Sequence, residues 1–182
     1  MNSNFSIETI ITEQDRKELK KLFDNLSFKN LRQGCHLFNI ERRDVEDKKS
    51  VYIDKICKYG ESKGYQLQQN YFLKYRENSF TRVHADDCHS DSVKLTIVTV
   101  VETQDLIGGE CLVFDEYQKT LDNRGNYIML SGDDNGVPYG KNIIPVFVKL
   151  NCGQSVVYDG GVEHGVTRVE QGHRVVLVSW FN

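Results

Sequence analysis

From Gln66 to its end the chain is a succession of short segments rich in Val, Ile, Thr and aromatic residues, parted by glycine-bearing turns. No other feature limits the fold as much. Leu67, Tyr71, Leu73 and Tyr75 occupy alternate positions, the spacing of a half-buried strand. Further strand-type segments run over 93–101, 110–114, 126–130, 143–150, 155–158, 165–169 and 174–181. Turn signals separate them at Gly108-Gly109, Asp134-Asn135-Gly136, Asn151-Cys152-Gly153, Gly160-Gly161 and Gln171-Gly172. Many short strands with no helix between them predict a sandwich or barrel.

The first third reads differently. Leu19, Leu22, Phe23 and Leu26 follow the i, i+3, i+4, i+7 pattern of a helix face. Thr12-Glu13-Gln14-Asp15 has the form of a capping box at its start. A second helix is expected over about 44–60, with Ile53, Ile56 and Cys57 inward and Gly60 ending it. Both helices are expected to cover one face of the sheet. The reading is thus a mainly β fold with N-terminal helices, in a chain of 182 residues that suits one domain. Residues 1–65 would be helical support, and residues 66–182 the strand core.

Composition excludes several classes. The net charge of −3 lacks the electrostatic footprint of a nucleic-acid binder. No apolar run approaches the roughly 20 residues that cross a bilayer, and the start has no basic and apolar leader. The five cysteines, Cys35, Cys57, Cys88, Cys111 and Cys152, are odd in number and form no C-x-x-C pair. They read as reduced thiols behaving as small hydrophobes, in a cytoplasmic compartment.

Five histidines, at 36, 84, 89, 164 and 173, raise the question of convergence with a carboxylate. His84-Ala85-Asp86 ends a strand-like run, where residues two apart share a face and can grip one ion. A second triplet, His89-Ser90-Asp91, falls in a polar stretch that reads as loop, where this spacing fixes no common face. His164 follows a glycine turn, and Arg174 comes after Glu170-Gln171-Gly172. If those three residues form a hairpin loop, Arg168 pairs with Arg174 and His164 lies opposite Val178. His164 and Arg174 then share a face roughly 13 Å apart, a span that suits a short dicarboxylate between a metal and a guanidinium. The same register turns Arg168 inward without explaining it. Two His and one carboxylate leave three metal positions open, the arrangement of non-haem Fe(II) oxygenases. Zinc would want a closed set or a water-activating base, and no H-E-x-x-H occurs.

With these residues in view, the chain resembles the iron(II)/2-oxoglutarate-dependent dioxygenases, in their prolyl 4-hydroxylase-like branch. The resemblance runs from about Tyr71 to Trp180. It is carried in order by Tyr75, His84-Ala85-Asp86, the 108–114 stretch GGECLVF, the 153–158 stretch GQSVVY and the 164–174 stretch HGVTRVEQGHR. It implies a double-stranded β-helix, a jelly roll flanked by helices on one side. It implies His84, Asp86 and His164 as the metal triad, Arg174 as the partner of the distal carboxylate of 2-oxoglutarate, and Tyr75 as a further contact. Thr96 or Thr99 is a candidate to line the same pocket. The implied cofactors are Fe(II) and 2-oxoglutarate, with ascorbate a further candidate. The implied reaction is hydroxylation of an unactivated C–H, first of all in a prolyl residue of a peptide or protein, with release of succinate and CO₂. A free amino acid or other small molecule is the alternative substrate, and a jelly-roll binding module without turnover the alternative class. The nucleic-acid demethylase branch fits less well, since its Arg-rich signature after the second histidine is absent. Partners are therefore 2-oxoglutarate, O₂ and a peptide or small molecule, with no nucleic acid and no membrane. Two features depart from the pattern: Arg168 after the second histidine, and an inserted hairpin at about 115–149. Cys88, two residues past Asp86, is the thiol most open to stray oxidant.

Overall fold

The computed structural model describes residues 5–27, 30–34, 37–45, 51, 53–88, 92–114 and 146–182, with the backbone alone for 30–34 and 88. Eleven strands and two helices follow one another: β1 (Phe5–Glu8), α1 (Glu13–Asn25), β2 (Asn30–Gly34), β3 (Leu37–Asp44), α2 (Asp54–Ser62), β4 (Leu67–Arg76), β5 (Phe80–His84), β6 (Leu95–Gly108), β7 (Cys111–Val113), β8 (Val146–Val148), β9 (Ser155–Asp159), β10 (His164–Val166) and β11 (Val169–Phe181). The strands pair in the order β1-β9-β6-β11-β4-β3-β5-β10-β7-β8, with β2 attached to β3. β3 joins the two halves of this curled sheet, since Glu41–Asp44 pair with β4 while Leu37 and Phe38 pair with β5.

Strict alternation sorts the long strands into two faces. Tyr71, Leu73, Tyr75, Val98, Val100, Val176 and Val178 point into a cluster completed by Cys111, Val113, Val148 and Val166 from the other half of the sheet. Phe72, Leu95, Ile97, Val101, Val175, Leu177 and Phe181 point the other way and pack on Leu19 and Phe23 of α1 and Ile56 of α2. The jelly roll with helices on one side is therefore the observed architecture.

Four expectations need correction. Residues 1–65 are not wholly helical, because β1, β2 and β3 lie within them. The second helix begins at Asp54, and residue 44 ends β3 instead. Glu41–Asp44 find backbone partners in β4, and that pairing claims the segment for the sheet. Gly60 does not end α2: it lies inside the helix, where a Cβ would fall 2.2 Å from the Phe181 ring. The expected hairpin over 170–172 is absent, and β11 runs straight through these residues along β6. Gly172, at φ 73°, serves an irregularity in that pairing, where a Cβ would sit 2.1 Å from the Gln104 carbonyl oxygen. The expected strand 126–130 and most of the 115–149 insertion fall outside the described residues, as do His36, the His89 triplet and Cys35. Cys57, Cys111 and Cys152 are free thiols; Cys111 is buried, Cys57 half-buried and Cys152 exposed. Among the described residues no helix is long and apolar enough to cross a membrane.

α1 opens as its sequence predicts. The Thr12 side chain accepts from the Asp15 backbone N–H, and the Asp15 carboxylate accepts from the Thr12 N–H at 2.7 Å. Lys55, then Thr12, hold the Asp15 carboxyl down at about 2. A depressed carboxyl stabilises the fold above the unfolded value near 4 and loses that contribution as pH falls toward 2. The stability difference between the native chain and Asp15→Asn, read from urea unfolding, is expected to shrink over that interval. Gly60→Ala is expected to cost about 1–3 kcal/mol by overpacking against Phe181. Adding Phe181→Leu to it is expected to cost less than it does in the native background, as measured by thermal melts.

Candidate metal centre

Backbone register brings the two histidines together. His84 closes β5, His164 opens β10, and the two are direct cross-strand partners. Their ring centroids lie 4.3 Å apart. Each ring places Nδ1 2.9 Å from a carbonyl oxygen two residues earlier, Arg82 for His84 and Val162 for His164. With Nδ1–H donating there, each Nε2 turns its lone pair toward Asp86, the tautomer a metal ligand needs. Asp86 follows the strand rather than belonging to it, as the first residue of a short 3₁₀ turn, Asp86–Cys88. Its Oδ1 lies 3.5 Å from His84 Nε2 and its Oδ2 3.7 Å from His164 Nε2.

One ion bound at about 2.1 Å to two donors holds them at most about 4.2 Å apart, so these separations fit a shared metal. All three side chains are buried, and among the described residues no other His, Cys, Asp or Glu joins them. Burial alone would raise the Asp86 carboxyl, but the imidazoles of His164 and His84 and the Thr96 hydroxyl outweigh it and hold the group below the ordinary carboxylate range. The carboxylate is therefore ionised, as a ligand to a divalent cation must be.

Tyr158 stacks its ring 4.4 Å from that of His164. Burial first, then the Asp86 charge, pushes the Tyr71 and Tyr158 hydroxyls well above the usual phenol range, so both stay protonated. Tyr71 meets Trp180 edge-on at 5.3 Å. Tyr158 thus packs directly beside the triad, and Tyr71 is in electrostatic reach of its carboxylate.

Arg174 reaches the same inner face by a different route from the one expected. It pairs with Tyr75 of β4 and Thr103 of β6, whereas β10 pairs with β5 and β7. His164 and Arg174 therefore stand on different halves of the curled sheet and not on one hairpin. The Arg174 guanidinium is only 4% exposed, lies 5.1 Å from the Tyr75 ring centroid, and donates from Nη1 to the Gly109 carbonyl. Its Nε is buried without a partner, and among the described residues no carboxylate pairs with it. A buried cation without an anion is the feature a dicarboxylate ligand would complete. The Tyr75 hydroxyl is 2.9 Å from Thr81 Oγ1, so Tyr75 supports Arg174 with its ring while its hydroxyl is already engaged. Gly108 lets the chain close on this region: a Cβ there would fall 2.1 Å from the Arg168 carbonyl oxygen. Arg168 itself lies over the Phe80 ring at 5.0 Å, which accounts for it without a ligand.

Of the two threonines singled out, Thr96 donates to Asp86 Oδ2 at 2.6 Å, and Thr99 pairs with Ser155 on the opposite face. Sequence reasoning missed Tyr158 and the carbonyls of Arg82, Val162 and Gly109. The carbonyls leave no mark on residue identity.

Comparison with known structures now bears on the site. The chain aligns over 98% of its length with 85% of a 2OG-Fe(II) oxygenase family oxidoreductase of Burkholderia pseudomallei, at 13% identity and a TM-score of 0.71. It has the fold of the 2-oxoglutarate–iron(II) oxygenases. A Pseudomonas putida prolyl-4-hydroxylase matches all of the chain over 93% of its own, at 14% identity and a TM-score of 0.65. HygX of Streptomyces hygroscopicus, solved with nickel, 2-oxoglutarate and hygromycin B, matches 99% of the chain over 83% of its own, at 12% identity and a TM-score of 0.68. A PKHD-type hydroxylase of Prochlorococcus marinus is 52% identical over 33 residues, which span 18% of this chain and 15% of that relative. No protein-family model matches. The curled sheet and its flanking helices are thus those of the oxygenase fold, with His84, Asp86 and His164 clustered inside it.

Calorimetric titration with Co(II) is expected to show one equivalent bound. His84→Ala, Asp86→Ala and His164→Ala are each expected to weaken it by more than about 100-fold, beyond the loss that follows from disturbing a group behind a ligand. His173→Ala, whose ring instead pairs with Glu102, is expected to leave it unchanged.

Proposed function

We propose that this chain is an Fe(II)- and 2-oxoglutarate-dependent oxygenase that hydroxylates an unactivated C–H, first of all in a prolyl residue of a peptide or protein. One juxtaposition carries the reading: a buried His-Asp-His cluster and a buried arginine without an anionic partner, with the Tyr75 hydroxyl in electrostatic reach of both Asp86 and Arg174. When bound, iron and 2-oxoglutarate supply the oxidising power: 2-oxoglutarate and O₂ become succinate and CO₂, and the second oxygen atom goes to the substrate. The protein's part is geometry and exclusion. His84, Asp86 and His164 would hold the metal, and a set of only three protein ligands would leave room on it for 2-oxoglutarate and oxygen. Arg174 receives the distal carboxylate, with its fork held by the Gly109 carbonyl and the Tyr75 ring. Tyr71, Tyr158 and Trp180 keep water from the reacting region. The presence of Asp86 as a third ligand favours oxygen transfer over halogenation, which leaves that position to a halide.

The prolyl reading is supported by the Pseudomonas putida prolyl-4-hydroxylase match, and hydroxylation in general by the Prochlorococcus marinus one. A free amino acid or other small molecule is the second reading, supported by HygX, whose ligand is hygromycin B. The three free thiols accord with a reducing cytoplasmic setting. No feature among the described residues bears on ascorbate.

Prolyl peptides and a panel of amino acids, incubated with Fe(II), 2-oxoglutarate and O₂, test the assignment. Succinate is expected to form one-to-one with a product 16 mass units heavier than its substrate. A chain that binds metal yet never releases succinate would instead be a binding module. Arg174→Met is expected to raise the KM for 2-oxoglutarate roughly 10- to 100-fold, the worth of a charge-assisted bond to a buried carboxylate.

A further inference from the structure

Each member of the His-Asp-His cluster is steadied by one further polar group. For the histidines these are main-chain carbonyls, available from any sequence. For Asp86 it is a side chain, Thr96. Building on the iron site proposed above, we propose that Thr96 is a positioning residue that fixes Asp86 as a one-oxygen ligand.

Thr96 lies in the buried stretch of β6 and is fully enclosed. Its neighbours in that stretch are Leu95, Ile97 and Val98, and Val would fill the same volume without a polar atom. A buried hydroxyl must find a partner. At this position β6 is bonded along both edges, to Trp180 of β11 and Tyr158 of β9, so the main chain beside Thr96 is committed. The hydroxyl proton goes to Asp86 Oδ2 at 2.6 Å. Thr99, on the opposite face of the same strand, satisfies itself with Ser155 and touches no charge. The two threonines therefore do different things, and only one is aimed at the cluster.

The fold gives Asp86 little other support. It stands past the end of β5, in a 3₁₀ turn, and no ladder of strand pairing sets its side chain. A carboxylate there can turn to offer a metal one oxygen or both. Both oxygens face the imidazoles, Oδ1 3.5 Å from His84 Nε2 and Oδ2 3.7 Å from His164 Nε2, and the Thr96 bond to Oδ2 lowers the donor strength of that one, which leaves Oδ1 as the stronger metal-binding oxygen. A carboxylate using both oxygens would take one of the positions that 2-oxoglutarate and oxygen need. The hydroxyl thus keeps three positions free, not merely the metal in place.

Co(II) titration of the apo protein, followed by calorimetry and by the visible absorption of the bound ion, tests this without turnover. Thr96→Val is expected to weaken binding about 10- to 100-fold and to change the Co(II) spectrum toward a different coordination number. Thr96→Ser, which keeps the hydroxyl, is expected to stay within about threefold of the native chain and to keep its spectrum. Thr96→Ala stands in if the Val variant does not fold. Native affinity and spectrum in the Val or Ala variant would overturn the proposal, as would a Ser variant as weak as Val. Failure of both hydroxyl-free variants to fold while Ser folds would assign the hydroxyl to folding and overturn it too. A native chain that binds no Co(II) would sink the iron reading itself, an outcome distinct from all of these.

Discussion

β11 runs along β6 for its thirteen residues, and its last nine, His173–Phe181, are paired along the other edge with β4 as well. Because side chains alternate, that single strand decides what each side of the sheet becomes. Val175, Leu177 and Phe181 go to the helices, and Phe181 closes against Gly60 of α2. Arg174, Val176, Val178 and Trp180 go to the chamber. A slip of one position would put the guanidinium among the helices and valines into the ligand pocket. Register is costly to change here, since each face is packed by large apolar groups. The packing that stabilises the fold therefore also fixes where the cation points.

The helical side is tied to the same strands by a buried acid. Glu41 of β3 is 1% exposed and takes Arg43 Nε at 2.6 Å and Arg76 Nη2 at 2.7 Å. Arg43 in turn donates to the Phe23 and Leu26 carbonyls at 2.7 and 2.8 Å, and its guanidinium lies 4.1 Å from the Phe23 ring centroid. α1 has no basic residue in its last turn, so Arg43 supplies from the sheet the positive charge that a helix end favours. Arg76 is the residue after Tyr75, whose ring underlies Arg174. The contacts that seat α1 thus end one residue from the support of Arg174.

What the sequence disclosed, and what it hid, follows from the range of the interactions. The capping box at Thr12 is local, and the two-residue alternation of β4 and β11 is periodic, so both were legible in residue order. The convergence of His84, Asp86 and His164 was legible through the motif rather than the geometry. The proposed hairpin at 170–172 was wrong because a glycine marks a left-handed residue without saying whether a turn or an irregular pairing needs it. Gly172 serves the pairing of β11 with β6. The extent of the second helix failed for a similar reason: residues 41–44 become strand only because β4 is there to pair with them. Thr96 left a trace, a hydroxyl in an apolar strand, but Thr99 left the same trace. Only the direction of each side chain separates a ligand's support from a pair satisfied within the sheet.

An oxidising centre of the kind proposed would also constrain the soft side chains around it. Cys111 belongs to the inner cluster with Tyr75, Val98 and Val166. Oxidation of cysteine proceeds through the thiolate, so a thiol survives beside an oxidant in proportion to how firmly it holds its proton. Burial drives the Cys111 thiol up to about 11, although Arg174 works against it. The apolar packing that excludes water from the chamber therefore keeps this sulfur in its unreactive form. One environment keeps the tyrosines protonated and the thiol inert, because both follow from burial on the inner face of the sheet.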